Sequence, residues 1–327
     1  MSSIKTPQAN TPPATKVHWF QITDEHCGQR IDNFLHTYLK GVPRSKIYNI
    51  LRKGEVRVNK RRVKPIYRLA LGDEVRIPPV KIQTKTIPQA KTSIIDRIEN
   101  SILFEDEELM VINKPSGIAV HGGSGISLGL IETLRQSRPQ QRFMELVHRL
   151  DRDTSGCIMI AKKRKILTEL HAALREKHVQ KTYHALVSGR WPKRKQLVNA
   201  PLEKNVLNSG ERMVRVSPTG KVSKTRFKVL EPFQQATLIE ASPITGRTHQ
   251  IRVHCQYAGH SIIGDDKYGD SDVNSKMKMK GIKRLCLHAY ELEFKLPNSG
   301  KQLSIRAPYD DALSRALQQL SSTDSVE

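Results

Sequence analysis

Apolar residues recur along the first part of the chain with the period of an α-helix. In residues 29–39 they fall every three or four positions, so that they share one helical face. Ser45 has the side chain of an N-cap and Gly54 is typical of a helix end, which predicts a second helix between them. The predicted elements here are helices at 29–39 and 46–53 and strands at 56–59 and 69–78. They indicate a small α/β domain over residues 17–80.

Beyond residue 100 the pattern changes to short apolar runs bounded by turn residues, which are typical of buried strands. The predicted strands lie at 109–114, 157–161, 181–187, 225–229, 236–241 and 285–294. An amphipathic helix is predicted at 166–177, and another follows a turn at 243–247 with Thr248 as its N-cap. Many short strands with few, separated helices predict an α+β domain with a mixed or antiparallel sheet.

The segments outside these two domains are polar. Residues 1–16 contain three prolines and lack the apolar core of a signal peptide, which predicts a disordered tail on a cytoplasmic protein. Residues 81–100 show little periodicity and are predicted to be a linker. The larger domain then spans residues 101–327. No run of about 18 apolar residues occurs, so we expect no membrane partner.

Charge is the strongest signal in the composition. The chain of 327 residues has 55 Lys and Arg against 32 Asp and Glu, a net charge of +23. Much of this excess lies between Lys40 and Lys85, where fourteen Lys and Arg face only three acids. A solvated helix face is the ordinary explanation of a charge run, but such faces usually carry interspersed acids. The near absence of acids therefore favours nucleic-acid binding.

Motifs for metals and cofactors are missing from the sequence. The four cysteines are far apart, without a CxxC pair, and are predicted to be buried, unreactive thiols. The glycine-rich residues 116–125 lack the Gly-Lys-Ser/Thr of a P-loop, and no GxGxxG opens a helix. His249, His254 and His260 form no HExxH pattern. We therefore expect neither a metal nor a cofactor.

One charged segment lies between two apolar runs. Residues 148–156, HRLDRDTSG, precede the apolar run at 157–161 and follow another that ends at Val147. Unpaired charges next to buried strands are costly, so packing alone does not explain them. Asp151 and Asp153 are the candidates for a catalytic carboxylate, and the residue pattern alone leaves both open.

Four motifs in a fixed order identify a family resemblance. The segments NKPSG at 113–117, HRLDRDTSG at 148–156, KTY at 181–183 and TGRTHQIR at 245–252 resemble those of the RluA-type pseudouridine synthases. The smaller domain resembles the S4 RNA-binding module. The resemblance implies an α+β catalytic domain with a long curved sheet, behind an S4 domain. It also implies an isomerase that converts uridine to pseudouridine without a cofactor.

The resemblance assigns roles to individual residues. Asp151 matches the catalytic aspartate, with Arg247 as its charge partner and Tyr183 against the base. Arg149 matches the residue that fills the gap left by the flipped base. Asp153 is expected to support the turn. The expected phosphate contacts of the S4 domain are Arg44, Lys46, Arg52, Lys53, Arg57 and Lys60.

The expected substrate is large-subunit (23S) ribosomal RNA or an assembly intermediate containing it, bound by a monomer. Attack by Asp151 at C1′ and proton abstraction from C2′ both remain open. A basic S4-like domain alone would also permit a non-catalytic ribosome-assembly factor. An S4-bearing methyltransferase would need a glycine-rich cofactor loop, which the sequence lacks.

Overall fold

The structure is a computed structural model that describes residues 17–39, 41–80, 88–122, 128–206 and 212–324. The chain forms two compact units, Met1–Ile87 and Pro88–Glu327. The predicted tail at 1–16 lies outside the described residues. Residues 81–87 of the predicted linker also lie outside the described residues, and the rest of it differs from the structure, because Thr92–Glu99 forms a helix in the second unit. Apolar residues recur at helical spacing there, and Ile98 is fully buried.

The amino-terminal unit packs two helices against a small antiparallel sheet. Its elements are β1 (His18–Gln21), α1 (Ile31–Tyr38), α2 (Arg44–Arg52), β2 (Arg57–Val58) and β3 (Glu74–Ile77). The strand order is β1–β3–β2. Phe34 of α1 and Ile47 of α2 are buried, as the helical pattern predicts. The predicted N-cap was wrong, because Pro43 takes that position and Ser45 lies inside the first turn. The fixed φ of proline suits the start of a helix.

The second unit holds most of the chain. Its first elements are α3 (Thr92–Glu99), β4 (Ile102–Glu105), β5 (Leu109–Lys114), α4 (Leu130–Ser137), β6 (Glu145–Leu146), β7 (Ser155–Ala161), α5 (Arg164–Arg175), β8 (Gln180–Ser188) and β9 (Leu197–Asn199). They continue with β10 (Leu202–Val206), β11 (Arg212–Val216), β12 (Lys224–Pro232), β13 (Ala236–Pro243), α6 (Gln250–Tyr257), α7 (Ser271–Met279), β14 (Leu287–Lys295), β15 (Gln302–Arg306) and α8 (Asp311–Asp324). None of the helices in the described ranges is both long and apolar enough to cross a membrane.

A ten-stranded sheet forms the centre of this unit. The order is β4-β5-β7-β14-β8-β13-β12-β9, with β15 beside β14 and β6 beside β7, while β10 and β11 form a separate hairpin. Strands β7 and β14 are parallel, and the other neighbours are antiparallel, so the sheet is mixed as predicted. Gly156 makes the parallel contact possible, because a Cβ there would lie 2.2 Å from the Ala289 carbonyl oxygen. Its φ of +106° also favours glycine.

Strand β7 is buried on both faces, which explains its continuous apolar run. Ile158 and Ile160 pack with α3 and α4, whereas Met159 packs on the other side with α5. Of the cysteines, Cys157, Cys255 and Cys286 are buried as predicted, but Cys27 is exposed. Cys27 lies in a turn of the small amino-terminal unit, outside its core.

Candidate active site

Three segments meet at a cleft of about 350 Å³ in the second unit. The loop between β6 and β7 supplies Arg149 and Asp151, β8 supplies Tyr183, and the turn before α6 supplies Arg247 and His249. Three of the four family motifs thus line one cleft. The sheet brings them together because β8 pairs with β14, and β14 pairs with β7.

A buried lysine from the remaining motif contacts the β6–β7 loop, which carries Asp151. Lys114 is fully buried, and its Nζ donates hydrogen bonds to the carbonyl oxygens of Pro115, Ile118 and Arg152 at 2.8–2.9 Å. Three acceptors match the three donors of an ammonium group. Burial lowers the pKa of Lys114 to about 7, against the attraction of Asp153 and Asp151. Because Arg152 follows Asp151 directly, Lys114 fixes the backbone next to the candidate catalyst.

Asp151 lies at one end of a row of three alternating charges. Its Oδ2 accepts a hydrogen bond of 3.1 Å from Nη1 of Arg252. The same guanidinium donates through Nε and Nη2 to the two oxygens of Asp265, each at 2.7 Å. Asp265 is completely buried and Arg252 is 7% exposed, whereas Asp151 is 29% exposed. The row therefore runs from the interior to the cleft.

Arg252 and Asp265 are the two buried members of this row, and each stabilises the ionised form of the other. Desolvation is the largest single effect and opposes the charge of Arg252, but the hydrogen bonds and the attraction of Asp265 and Asp151 together outweigh it and raise the pKa of the guanidinium. Desolvation likewise opposes the charge of Asp265, yet Arg252 and the backbone N–H groups of Lys267 and Tyr268 lower the pKa of its carboxyl. Both groups are therefore charged at neutral pH.

The prediction that Arg247 is the charge partner of Asp151 was wrong, because Arg252 takes that position. Arg247 is exposed at the rim of the cleft, and its Nε donates to the carbonyl oxygen of Val222 at 3.4 Å. The turn that carries Arg247 is held by Gln250, whose Oε1 accepts from the Arg247 N–H at 3.0 Å. This turn directs Arg247 outward, whereas Arg252 follows on the buried part of α6.

His249 is the N-cap of α6, so the prediction of Thr248 was wrong by one residue. Its φ of +51° places it in the left-handed region, which costs energy for histidine and is often found at functional sites. Nε2 of His249 lies 3.8 Å from Oδ1 of Asp151. Burial lowers the pKa of His249, and the attraction of Asp151 opposes this. The ring is consequently neutral at pH 7.

The Tyr268 hydroxyl group joins His249 to strand β11. The Tyr268 hydroxyl oxygen accepts from the Val214 N–H at 2.9 Å, and the hydroxyl group lies 2.7 Å from Nδ1 of His249. In the tautomer whose Nδ1 accepts the hydroxyl proton, the neutral ring carries its own proton on Nε2, the atom that lies 3.8 Å from Oδ1 of Asp151. A chain of contacts thus links the β10–β11 hairpin to the candidate catalyst.

Tyr183 and Arg149 complete the lining of the cleft. Burial raises the pKa of Tyr183 well above its usual range, and the nearby charge of Asp151 adds to this effect. Its hydroxyl is therefore protonated at neutral pH, and its ring packs against both neighbouring core clusters. Arg149 is exposed at the mouth of the cleft. Both residues line the same cleft as Asp151, and their contacts with a flipped base stay a prediction.

A larger cavity of about 1170 Å³ lies at the opposite end of β8 and β13. Aromatic side chains, among them Trp191 and Phe233, line it together with Arg190, Lys193 and Lys228. No carboxylate is among its lining residues in the described part of the chain. It therefore lacks the group that the predicted chemistry requires, and the smaller cleft is the candidate active site.

The predicted RNA contacts of the first unit are all exposed. They lie on α2, on β2 and in the turns that follow these elements: Arg44, Lys46, Arg52, Lys53, Arg57 and Lys60. Within the described residues, none of the six forms a salt bridge with an acid. Their charges are therefore available to a polyanion.

The fold and the cleft define the class of protein. Residues 108–257 match the RNA pseudouridylate synthase family, and residues 29–75 match the S4 domain. The chain belongs to the RNA pseudouridylate synthase family and is an isomerase with an S4 domain in front, as predicted.

Two bacterial relatives resemble nearly the whole chain. The ribosomal large subunit pseudouridine synthase C of Pasteurella multocida (strain Pm70) is 56% identical over 303 residues, which covers 92% of this chain and 93% of that protein. The protein of the same name from Escherichia coli (strain K12) is 55% identical over 312 residues, covering 94% and 97%. Human RNA pseudouridylate synthase domain containing 4 has a similar structure, with a TM-score of 0.56 and 25% identity over 70% of this chain and 96% of that one.

Sequence reasoning missed three residues that organise the site: Lys114, Arg252 and Asp265. Lys114 and Arg252 lie inside the motifs that were recognised, but nothing in the residue types showed that they are buried. Asp265 lies 13 positions after Arg252, in a loop whose only signal was its glycines. A buried acid at that distance can be paired with its arginine only when the fold is known.

Proposed function

We propose that the protein converts specific uridines of large-subunit (23S) ribosomal RNA to pseudouridine, with Asp151 as the catalytic carboxylate. The observation that carries this proposal is the row Asp151–Arg252–Asp265, which directs the carboxyl group of Asp151 into a cleft of about 350 Å³. The similarity of nearly the whole chain to two ribosomal large subunit pseudouridine synthases C supports the choice of substrate.

The chemistry fits a single carboxylate. The N1–C1′ bond of uridine breaks, the uracil ring turns, and C5 bonds to C1′ while the C5 proton is replaced by one on N1. No atom or electron is gained or lost, so Asp151 must only stabilise or attack the sugar at C1′ or remove a proton from C2′. Arg252 holds Oδ2, and Oδ1 has only the 3.8 Å contact with His249 within the described residues. We assign Oδ1 to the sugar.

The other cleft residues serve the base. A uridine inside folded RNA must leave its stack before its glycosidic bond becomes accessible, at a cost of a few kcal/mol. We assign Arg149, at the mouth of the cleft, to the gap that the uridine leaves. Tyr183 packs against the base, and its protonated hydroxyl gives it a polar end near C5. Arg247 at the rim contacts the RNA backbone in this proposal.

The amino-terminal unit binds the same RNA through its six exposed cations. Each phosphate contact releases counterions, so affinity for RNA should fall steeply with salt. We further propose that the enzyme acts as a monomer in the cytoplasm, without a cofactor. The domain boundaries are proposed at residues 17–80 for the S4 domain and at Pro88 for the start of the catalytic unit, with α3 included in it.

Mapping of pseudouridine with carbodiimide and reverse transcription tests this function. Wild-type protein, added to large-subunit RNA from a host that lacks the gene, should restore the reverse-transcription stops that mark pseudouridine. Asp151→Asn should reduce the rate by at least about 10²–10⁴-fold while RNA affinity is kept. Asp153→Asn is the matched control, because Asp153 is 40% exposed and pairs with Arg152 outside the row. If wild-type protein added no reverse-transcription stops to this RNA, the result would favour a non-catalytic assembly factor instead.

A further inference from the structure

An exposed tyrosine lies in the middle of the basic helix α2. Tyr48 is 45% exposed, and Arg44 and Arg52 are each four positions away from it. Residues four apart on a helix are neighbours on one face. The three side chains therefore form a stripe of arginine, tyrosine and arginine. Aromatic rings interleaved with cations are the pattern of surfaces that bind single-stranded nucleic acid.

A buried carboxylate from α1 anchors this tyrosine. The Tyr48 hydroxyl donates to Oδ2 of Asp32 at 2.9 Å. Asp32 is 5% exposed and also accepts from the Arg30 guanidinium at 2.6 and 3.1 Å. Hydrogen bonding to Asp32 raises the pKa of Tyr48, so the hydroxyl remains a donor. The ring is thus held in one position from its hydroxyl end.

The ring of Tyr48 makes no aromatic contact within the described residues of the unit. Tyr38, on α1, stacks with Phe34 at 5.6 Å and meets Phe20 edge-on at 5.1 Å, so it belongs to the core. In the part of the chain that the structure describes, no aromatic ring or cation–π contact involves Tyr48. A fixed ring that is nearly half exposed between two cations can receive another flat group on its surface.

We propose that Tyr48 is a stacking platform for an unpaired RNA base, with the phosphates on either side of that base bound by Arg44 and Arg52. The proposal rests on the proposed function only in that the amino-terminal unit binds RNA. Asp32 is a positioning residue, since it orients the ring before the base arrives. The alternative role of the Tyr48–Asp32 bond is to join α2 to α1, which would affect stability without affecting RNA affinity.

Affinities of full-length variants for two RNA probes test the platform. One probe is a fragment of large-subunit RNA with a single-stranded loop, and the other is a fully paired duplex of equal length. Tyr48→Leu should weaken loop binding about 5- to 150-fold and leave duplex binding unchanged, because only unpaired bases can stack on the ring. Tyr48→Phe, which keeps the ring and loses the anchor, should lose less affinity than Tyr48→Leu.

Salt dependence separates stacking from charge. The slope of log K against log[salt] should be the same for Tyr48→Leu and the wild type, since no phosphate contact is lost. Arg44→Gln should instead reduce the slope by about 0.7 and weaken both probes. The matched aromatic control is Trp19→Leu, a residue of the same unit that is 43% exposed on β1, outside α2. It should bind both probes like the wild type.

The platform is refuted if Tyr48→Leu binds the loop like the wild type while remaining folded in a urea titration. It is also refuted if Tyr48→Leu weakens binding of the loop and of the duplex equally, or if Trp19→Leu weakens loop binding as much as Tyr48→Leu does. These are equilibrium measurements without turnover. A wild-type protein that binds the loop through Tyr48 but makes no pseudouridine would refute only the proposed function.

Discussion

Replacing Asp265 with asparagine would remove the innermost charge of the row that ends at Asp151. The substitution keeps the shape of the side chain, but one carboxylate oxygen becomes an NH₂ group. That group would face a guanidinium or backbone N–H, because the two oxygens of Asp265 accept from Nε and Nη2 of Arg252 and from two backbone N–H groups. Arg252 would retain the 3.1 Å bond to Asp151 and at most one bond to the amide oxygen.

The expected loss of stability is large because the charge left behind is buried. Arg252 is 7% exposed and Asp265 is fully buried. Removing one partner of a buried, hydrogen-bonded pair costs about 3–5 kcal/mol. In a unit of this size each kcal/mol corresponds to roughly 2–4 °C, so the midpoint of thermal unfolding should fall by about 6–20 °C. Asp151→Asn removes a single, longer bond to a carboxylate at the cleft and should cost no more than about 1 kcal/mol.

Urea unfolding and uridine conversion, measured on both variants, separate the two aspartates. Asp265→Asn should reduce stability strongly and activity through the misplacement of Asp151, whereas Asp151→Asn should abolish activity in a protein of nearly wild-type stability. Asp265→Ala provides a second measure, since it leaves Arg252 with Asp151 as its remaining acidic partner and introduces no misplaced amide. If Asp265→Asn changed the unfolding free energy by less than about 1 kcal/mol, the buried row would not exist as described.

Two further predictions concern the supports of the site. Lys114→Met should remove the pH dependence of stability that a buried lysine causes. The pKa of Lys114 is about 7 in the folded protein and 10.5 in the unfolded chain. The unfolding free energy of the wild type, relative to that of the variant, should therefore rise by roughly 3–5 kcal/mol from pH 7 to 10.5 and be constant below pH 7. Equal pH profiles of urea unfolding for the two proteins would contradict this. Tyr268→Phe should cost about 1–3 kcal/mol, because the Val214 N–H loses its acceptor, and should lower kcat more than it raises KM. An unchanged kcat would show that the contact of Tyr268 with His249 does not contribute to the reaction.

Much of the fold could be predicted from apolar periodicity alone. Strands such as β5 and β7 carry continuous apolar runs because both of their faces are covered, and these runs are visible in the sequence. Helix α3 was missed because a short amphipathic helix at the end of a polar stretch resembles a linker in composition. The cap residues were also misplaced, since Pro43 and His249 begin helices without a side-chain cap.

The site was predictable only as far as its motifs. Asp151, Tyr183 and Arg149 could be placed from the resemblance, and they do line one cleft. The choice between Arg247 and Arg252 could not be made from spacing, because both lie in the same motif. The choice depends on which arginine helix α6 buries. The turn held by Gln250 exposes Arg247, whereas Arg252 contacts Asp265 from the buried side of α6.

The unequal bond lengths in the row explain how an arginine can orient Asp151 without neutralising it. Arg252 makes two bonds of 2.7 Å to Asp265 and one of 3.1 Å to Asp151. The single positive charge is therefore committed chiefly to the buried carboxylate, as expected for a charge-assisted bidentate pair. Two carboxylates and one guanidinium leave one net negative charge, and Asp151 is the most exposed of the three groups. Burial lowers the pKa of His249, so its neutral ring does not cancel that charge. A lone arginine partner would fix the carboxylate equally well but would compete with the sugar for its charge.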